Sequence, residues 1–170
     1  MSRPIYETAE NRQSESSAAR IIEEKLGLTV VQNKRLYPAD YSFIKNGVVK
    51  GIGEIKVRKN PRFKYSTFFI SADKITKCKA FSQEFGIPFF LFVWWSDGLY
   101  TINLTDKKPL HLAIGGRYDR GDSQDVEPMA HYDPADFVLV WAIQWRIVER
   151  KTGATMITTP THTSLDSVLI

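Results

Sequence analysis

A continuous apolar run near the middle of the chain limits the folds that this sequence can adopt. Residues 87–95 read IPFFLFVWW, and the turn sequence Ser96-Asp97-Gly98 follows directly. The run is far shorter than the ~20 residues of a membrane-spanning helix, but it suits a strand. A strand without polar positions is buried on both faces, so other elements must cover both sides of its sheet. The run therefore indicates an α/β protein.

Two segments have the pattern of the covering helices. Residues ~8–26 carry apolar side chains at helical spacing and stop before Gly27, a typical residue after a helix end. The second segment begins at Ser71, a typical N-cap, and stops at Gly86. Its buried stripe is expected to consist of Ile75, Cys78, Phe81 and Phe85.

The remaining patterns predict the strands of the sheet. Segments 28–32, 37–45 and 48–57 lie between the two helices, and Asn46-Gly47 is a typical two-residue hairpin turn. Residues 99–104 make a further strand beside the apolar run. The order helix, three strands, helix, two strands predicts an α/β sandwich around a mixed sheet.

The strand predicted at 48–57 carries two charges among apolar residues. Glu54 and Lys56 are two positions apart, so both point to the face that also carries Ile52. Unpaired charges are costly on a core strand, so these two need a reason to be there. The hairpin also brings a second acid, Asp40, close to Glu54. Two carboxylates repel each other unless a cation lies between them, and hard oxygen ligands without histidine or cysteine select Mg²⁺ or Mn²⁺. The adjacent ammonium can orient a water and stabilise charge developing on a phosphate.

Pro38-Ala39-Asp40 followed by Glu54-Ile55-Lys56 resembles the signature of the PD-(D/E)XK nuclease superfamily, with Ala39 between the proline and the aspartate. This superfamily includes restriction-type endonucleases, Holliday-junction resolvases and exonucleases. The resemblance covers roughly residues 8–104 in element order. It implies a restriction-endonuclease-like α/β core in the order α-βββ-α-β, and metal-dependent hydrolysis of DNA, with endonuclease action favoured. The preference for DNA over RNA rests on the family alone.

The resemblance also implies roles for individual residues. Asp40 and Glu54 would bind the metal together with the Ile55 carbonyl, and Lys56 would position or activate the attacking water. Many members place an acid in the first helix. Glu15 fits best, because positions 15, 18, 22 and 26 share one helical face, and Glu23 and Glu24 are alternatives.

Positive charge is concentrated around this motif. Residues 34–79 contain twelve lysines and arginines but three acids, a net charge of +9, whereas the rest of the chain carries −5. This asymmetry is typical of a protein that binds a polyanion, although a solvated basic face is the alternative. The expected phosphate contacts are Arg58, Lys59, Arg62, Lys64, Lys74 and Lys77. A non-catalytic nucleic-acid-binding module of the same fold is the alternative function.

The sequence is less informative beyond residue 104. Residues 1–104 are expected to form the nuclease-like core, and 105–170 an extension packed on the same domain, with a tail from about 154. Residues 115–125 indicate a loop and 126–132 a strand, while 134–153 fits a helix capped by Asp133 or a strand. Asp136, Glu149 and Lys151 echo the motif spacing. We weigh them below the first site because only 19 residues, largely Thr and Ser, follow Lys151.

The cellular setting follows from what the sequence lacks. Cys78 is the single cysteine, and the first fifteen residues contain no apolar segment typical of a secretion signal. These features predict a cytoplasmic protein that does not enter a membrane. A two-fold symmetric cut would require a homodimer, which the sequence permits but does not specify.

Overall fold

The computed structural model describes residues 9–116 and 126–142. The helices are α1 (Ala9–Leu26) and α2 (Ala72–Phe85); the strands are β1 (Thr29–Gln32), β2 (Tyr41–Lys45), β3 (Val48–Val57), β4 (Phe68–Ser71), β5 (Phe89–Trp95), β6 (Gly98–Asn103), β7 (His111–Gly116), β8 (Val126–Tyr132) and β9 (Val138–Ala142). Six strands of this part form a mixed sheet in the order β1-β2-β3-β5-β6-β9, and three form an antiparallel sheet in the order β4-β8-β7. The predicted α/β core with its α-βββ-α-β order is confirmed, with β4 inserted before α2.

Local chemistry explains the elements that shape the site. Asn46 and Gly47 both have positive φ angles, of 52° and 75°, as expected for the tight turn between β2 and β3. The Ser71 hydroxyl accepts a hydrogen bond from the Lys74 N–H and caps α2, and Gly86 ends that helix in the left-handed conformation. The hairpin turn and both ends of α2 are therefore where the sequence predicts them.

The buried stripe of α2 differs from the prediction in one residue. Ile75 and Cys78 are buried as expected, but the next buried position is Ser82, and Phe85 is 57% exposed. Phe85 lies at the last residue of the helix and stacks on Phe81, with 4.5 Å between the ring centroids. Its ring therefore contacts a neighbour on the same helix and stays largely exposed.

The central strands separate the core into two layers. β3 pairs in parallel with β5, and α2 lies in the connection between them. Ile55 packs in the layer that contains Ile22 of α1, whereas Ile52 packs in the layer that contains Ile75 of α2. Glu54 shares the face of Ile52, so its side chain leaves the sheet on the α2 side.

The described part of the C-terminal region adds strands to both sheets. β8 pairs with β4, and β9 pairs with β6 at the edge of the six-stranded sheet. Asp133 does cap a helical turn, through its Oδ1 atom and the Ala135 N–H, but this turn spans only Pro134–Asp136 before β9 begins. Glu149, Lys151 and the expected tail lie outside the described residues. Neither of the two described helices is long and apolar enough to cross a bilayer.

Candidate functional site

The hairpin and β3 bring the motif residues together. Asp40 lies directly before β2, and its backbone N–H donates a hydrogen bond of 3.1 Å to Oε1 of Glu54. Lys56 Nζ lies 3.1 Å from Oε2 of Glu54 and 3.8 Å from Oδ2 of Asp40. The three side chains named from the sequence therefore share one site on the α2 side of the sheet.

Lys74 is a fourth member of this site that the sequence analysis did not identify. Its Nζ atom lies 2.6 Å from Oδ1 of Asp40 and 2.9 Å from Oε1 of Glu54. The sequence suggested Lys74 only as a phosphate contact, whereas the structure turns it inward to the two acids. We call Asp40, Glu54, Lys56 and Lys74 the site cluster.

One signal in the sequence could have located Lys74. Parallel strands such as β3 and β5 are joined by a crossover, and here the crossover contains α2. The crossover leaves β3 at its carboxyl end and forms β4 before α2 begins. Lys74 belongs to the first turn of α2, and its Nζ atom contacts Glu54 in the carboxyl half of β3.

Burial controls the ionisation of the acids. Glu54 is 1% exposed, and burial raises its pKa to about 7 even though two ammonium groups contact it. Burial alone would raise the pKa of Asp40 as well. Its contact with Glu54 and the charges of Lys56 and Lys74 outweigh burial and hold that pKa below the ordinary value. The two acids therefore differ in proton affinity, with Glu54 holding its proton to higher pH.

Both lysines of the site cluster stay charged. Burial by itself lowers the pKa of Lys56, but Glu54 and Asp40 outweigh it and raise the pKa above its ordinary value. The same balance, again led by Glu54, raises the pKa of Lys74. At neutral pH the site cluster thus presents two ammonium groups to two carboxyl groups.

The acid expected in the first helix lies near the site cluster. Glu15 Oε2 accepts a hydrogen bond of 3.1 Å from the Tyr41 hydroxyl, and its charge contributes to the raised pKa of Lys56. The two alternatives have local partners instead. Glu23 accepts a hydrogen bond from the Val30 N–H, and Glu24 forms an ion pair with Lys25. Among the three, Glu15 is the acid whose charge acts on Lys56.

Two of the expected phosphate contacts line an open cavity next to β3. Arg58 and Lys59 follow β3 directly and border a cavity of about 390 Å³, together with Trp94 and residues of α1. The Arg58 guanidinium lies 5.2 Å from the centre of the Phe68 ring. Lys64 is exposed in the neighbouring helical turn.

Arg62 and Lys77 have intramolecular partners in the structure. Arg62 Nη1 donates a hydrogen bond of 2.9 Å to the Phe137 carbonyl, and its guanidinium lies 4.4 Å from the centre of the Tyr100 ring. Arg62 therefore joins the loop after β3 to β6 and the C-terminal region, a role that the sequence did not indicate. Lys77 forms an exposed ion pair with Asp73, which leaves it at the surface as expected.

The donor atoms of the site suit a hard divalent cation. Among the described residues, no group of three or more His, Cys, Asp and Glu side chains is placed to hold a metal. The site offers two carboxylates, and a backbone carbonyl such as that of Ile55 would be needed as a further oxygen ligand. The ammonium groups of Lys56 and Lys74 each contact both carboxylates, so the space between the acids suits a positive charge. Asp136, the first residue of the motif echo, forms an ion pair with Lys107 instead.

Comparisons with known proteins gave a family match and a similar solved structure. A family model described as "Phage putative PDDEXK endonuclease" matches residues 1–140. The solved structure of Hjc, a Holliday junction resolvase from the archaeal hyperthermophile Archaeoglobus fulgidus, is similar with a TM-score of 0.47 and 15% identity. That similarity covers 72% of this chain and 85% of the resolvase. None of the curated proteins matches the sequence.

Proposed function

Because this chain belongs to the phage PDDEXK endonuclease family, we propose that it hydrolyses DNA phosphodiester bonds at Asp40, Glu54 and Lys56, with Mg²⁺ or Mn²⁺ as cofactor. The family agrees with the resemblance in the motif. The observation that carries the proposal is the burial of Glu54 in contact with Lys56 and the Asp40 N–H. A buried carboxyl group in contact with charged groups costs stability, and perturbed ionisable groups of this kind cluster at functional sites.

The metal would be held by the carboxylates of Asp40 and Glu54 and by the Ile55 carbonyl. When bound, it would supply positive charge to the phosphate in the transition state and lower the pKa of a water. Lys56 remains an ammonium at neutral pH because the neighbouring acids raise its pKa. It therefore serves to orient the attacking water and to stabilise charge on the phosphate, and not to remove a proton. Glu15 supports this role by favouring the charged form of Lys56.

The DNA backbone would approach along the surface that follows β3. Arg58, Lys59 and Lys64 remain the proposed phosphate contacts there, and Lys77 lies further along α2. The cavity beside Arg58 and Lys59 adjoins Val57 at the carboxyl end of β3, so phosphates bound there would lie at the end of the strand that carries Lys56. Phosphate contacts position the duplex without reading its sequence.

A non-catalytic nucleic-acid-binding module would retain the basic surface but would have no use for a buried Glu54. The deciding experiment incubates the protein with labelled duplex, single-stranded, flap and four-way DNA, in Mg²⁺ and in EDTA. We expect cleavage only with the metal, and loss of cleavage in Glu54→Gln and Lys56→Met with DNA binding retained. Asp136→Asn is the matched control and should cleave like the wild type. Cleavage by Glu54→Gln at the wild-type rate would reject this site. Sedimentation with and without DNA tests for the homodimer that a symmetric cut would require.

A further inference from the structure

Lys74 occupies the space that the proposed function reserves for a metal ion. We infer that its ammonium is a built-in substitute for the cation in the metal-free protein, and that metal binding displaces it from Asp40 and Glu54. This inference rests on the proposed function, since it assigns the metal to the same two carboxylates. It adds a regulatory element within the site, because the chain competes with its own cofactor.

The contacts of the two lysines divide the four carboxylate oxygens between them. Lys74 contacts Oδ1 of Asp40 and Oε1 of Glu54, at 2.6 and 2.9 Å. Lys56 contacts the other two oxygens, Oδ2 and Oε2, at 3.8 and 3.1 Å. Each ammonium therefore bridges the two acids, and the bridge made by Lys74 is the tighter one. A metal ion that binds between Oδ1 of Asp40 and Oε1 of Glu54 would therefore replace the contacts of these oxygens with the Lys74 ammonium.

The bridge also limits how far apart the two acids can lie. Oδ1 of Asp40 and Oε1 of Glu54 can be no further apart than the sum of their distances to Lys74 Nζ. Two oxygens that bind one Mg²⁺ at about 2.1 Å lie within about 4.2 Å of each other. Lys74 thus holds two like charges close together in the absence of metal, which they would otherwise resist. This arrangement prepares the site for the cation and blocks it at the same time.

Lys74 is better placed to leave the acids than Lys56. Lys56 lies on the central strand β3, whose backbone is held between β2 and β5. Lys74 lies in the first turn of α2, at the side of the sheet, so its long flexible stem can turn outward to water. The proposed function also requires Lys56 beside the reacting phosphate. The ammonium that is exchanged for the metal is therefore that of Lys74.

Titration of the metal-binding affinity tests this inference without DNA and without activity. Lys74→Met keeps a long apolar stem and removes the competing charge. We expect Mn²⁺ to bind this variant about tenfold more tightly than the wild type or better, by calorimetry, which is the scale of losing one charge-assisted contact. Metal-free Lys74→Met should unfold at lower denaturant concentration than the wild type, and saturating Mn²⁺ should close that gap.

Lys77→Met is the matched control, because it removes the same charge from the same helix one turn away. Its Mn²⁺ affinity in the absence of DNA should stay close to that of the wild type. Equal tightening in both variants would show a general charge effect and would overturn the inference. Unchanged or weaker binding in Lys74→Met would also overturn it.

Asp40→Asn separates this inference from the proposed function. If Mn²⁺ binding to the wild type is lost in Asp40→Asn but is not tighter in Lys74→Met, the metal site stands and the exchange is wrong. If Asp40→Asn binds Mn²⁺ as the wild type does, the metal site and the exchange fail together. If Lys74→Met does not fold, an NMR experiment on the wild type tests the displacement of Lys74 instead. The NMR signal of the ion-paired Lys74 ammonium should disappear as Mg²⁺ is added, and its persistence at saturation would refute the displacement.

Discussion

Burial of Glu54 makes the stability of the metal-free protein depend on pH in the neutral range. The pKa of this carboxyl is about 7 in the folded protein, against an ordinary value of 4.5. An acid that binds its proton more tightly when folded stabilises the fold below the ordinary pKa. That contribution is lost as the pH rises through about 7. The loss is about 1.36 kcal/mol for each pH unit between the two values, or about 3 kcal/mol in all.

This magnitude requires no reduction for solvent screening, since the Glu54 side chain is only 1% exposed. The measurement is urea unfolding in EDTA, from about pH 4.5 to about pH 8, of the wild type and Glu54→Gln. The glutamine keeps the shape and an oxygen for the Asp40 N–H but cannot titrate. Relative to this variant, the wild type should lose about 3 kcal/mol of unfolding free energy as the pH rises.

Two comparisons make this test specific. Glu84→Gln changes an exposed acid on α2 and should follow the wild-type profile. The lowered pKa of Asp40 acts in the opposite direction, but it stabilises the fold above about pH 4 and loses that effect only below this range. Parallel profiles for the wild type and Glu54→Gln across the whole range would refute the reasoning from burial.

Three further outcomes follow from the packing and the charges. Gly53→Ala should lower the unfolding free energy, measured by denaturation, by about 3 kcal/mol or more. The reason is that the added Cβ would lie 2.1 Å from the Phe90 carbonyl oxygen. A variant as stable as the wild type would contradict this packing. Lys59→Ala and Lys64→Ala should each make the log–log slope of DNA affinity against salt shallower by about 0.9, by fluorescence anisotropy in Ca²⁺. Unchanged slopes would identify a solvated basic face. Arg62→Ala should lower the unfolding free energy by about 1–2 kcal/mol and leave that slope unchanged, because its guanidinium is bound to Phe137 and Tyr100.

The motif part of the site could be predicted because short-range rules place it. Strand alternation puts Glu54 and Lys56 on one face, and the two-residue turn at Asn46-Gly47 fixes the strand that follows Asp40. The apolar run of β5 required a covered sheet, and helices with their caps appear where the pattern predicts them. In each case the decisive interactions lie within one element or between two neighbours in sequence.

The positions of Lys74 and Arg62 and the three-stranded sheet could not be predicted, because they depend on contacts between distant segments. Lys74 reaches Asp40 across 34 residues, and Arg62 reaches Phe137 across 75. Both lysine and arginine look like surface charges in a sequence, since nothing local records which partner will face them. The sheet formed by β4, β8 and β7 has the same origin, because β4 has only four residues and takes its pairing from a strand more than fifty residues later. Long-range pairing overrides the local pattern at these points.

The parallel pairing of β3 with β5 has a consequence for how the enzyme is made. Residues 52–57 of β3 pair with residues 89–94 of β5, so this side of β3 stays without its partner until the ribosome has passed residue 94. A hairpin alone is marginally stable in water, and parallel strands close only after the whole crossover between them exists. A nascent chain can therefore already contain both acids and both lysines without holding them together. The proposed cleavage of DNA would then require the finished fold and would be absent from an incomplete translation product.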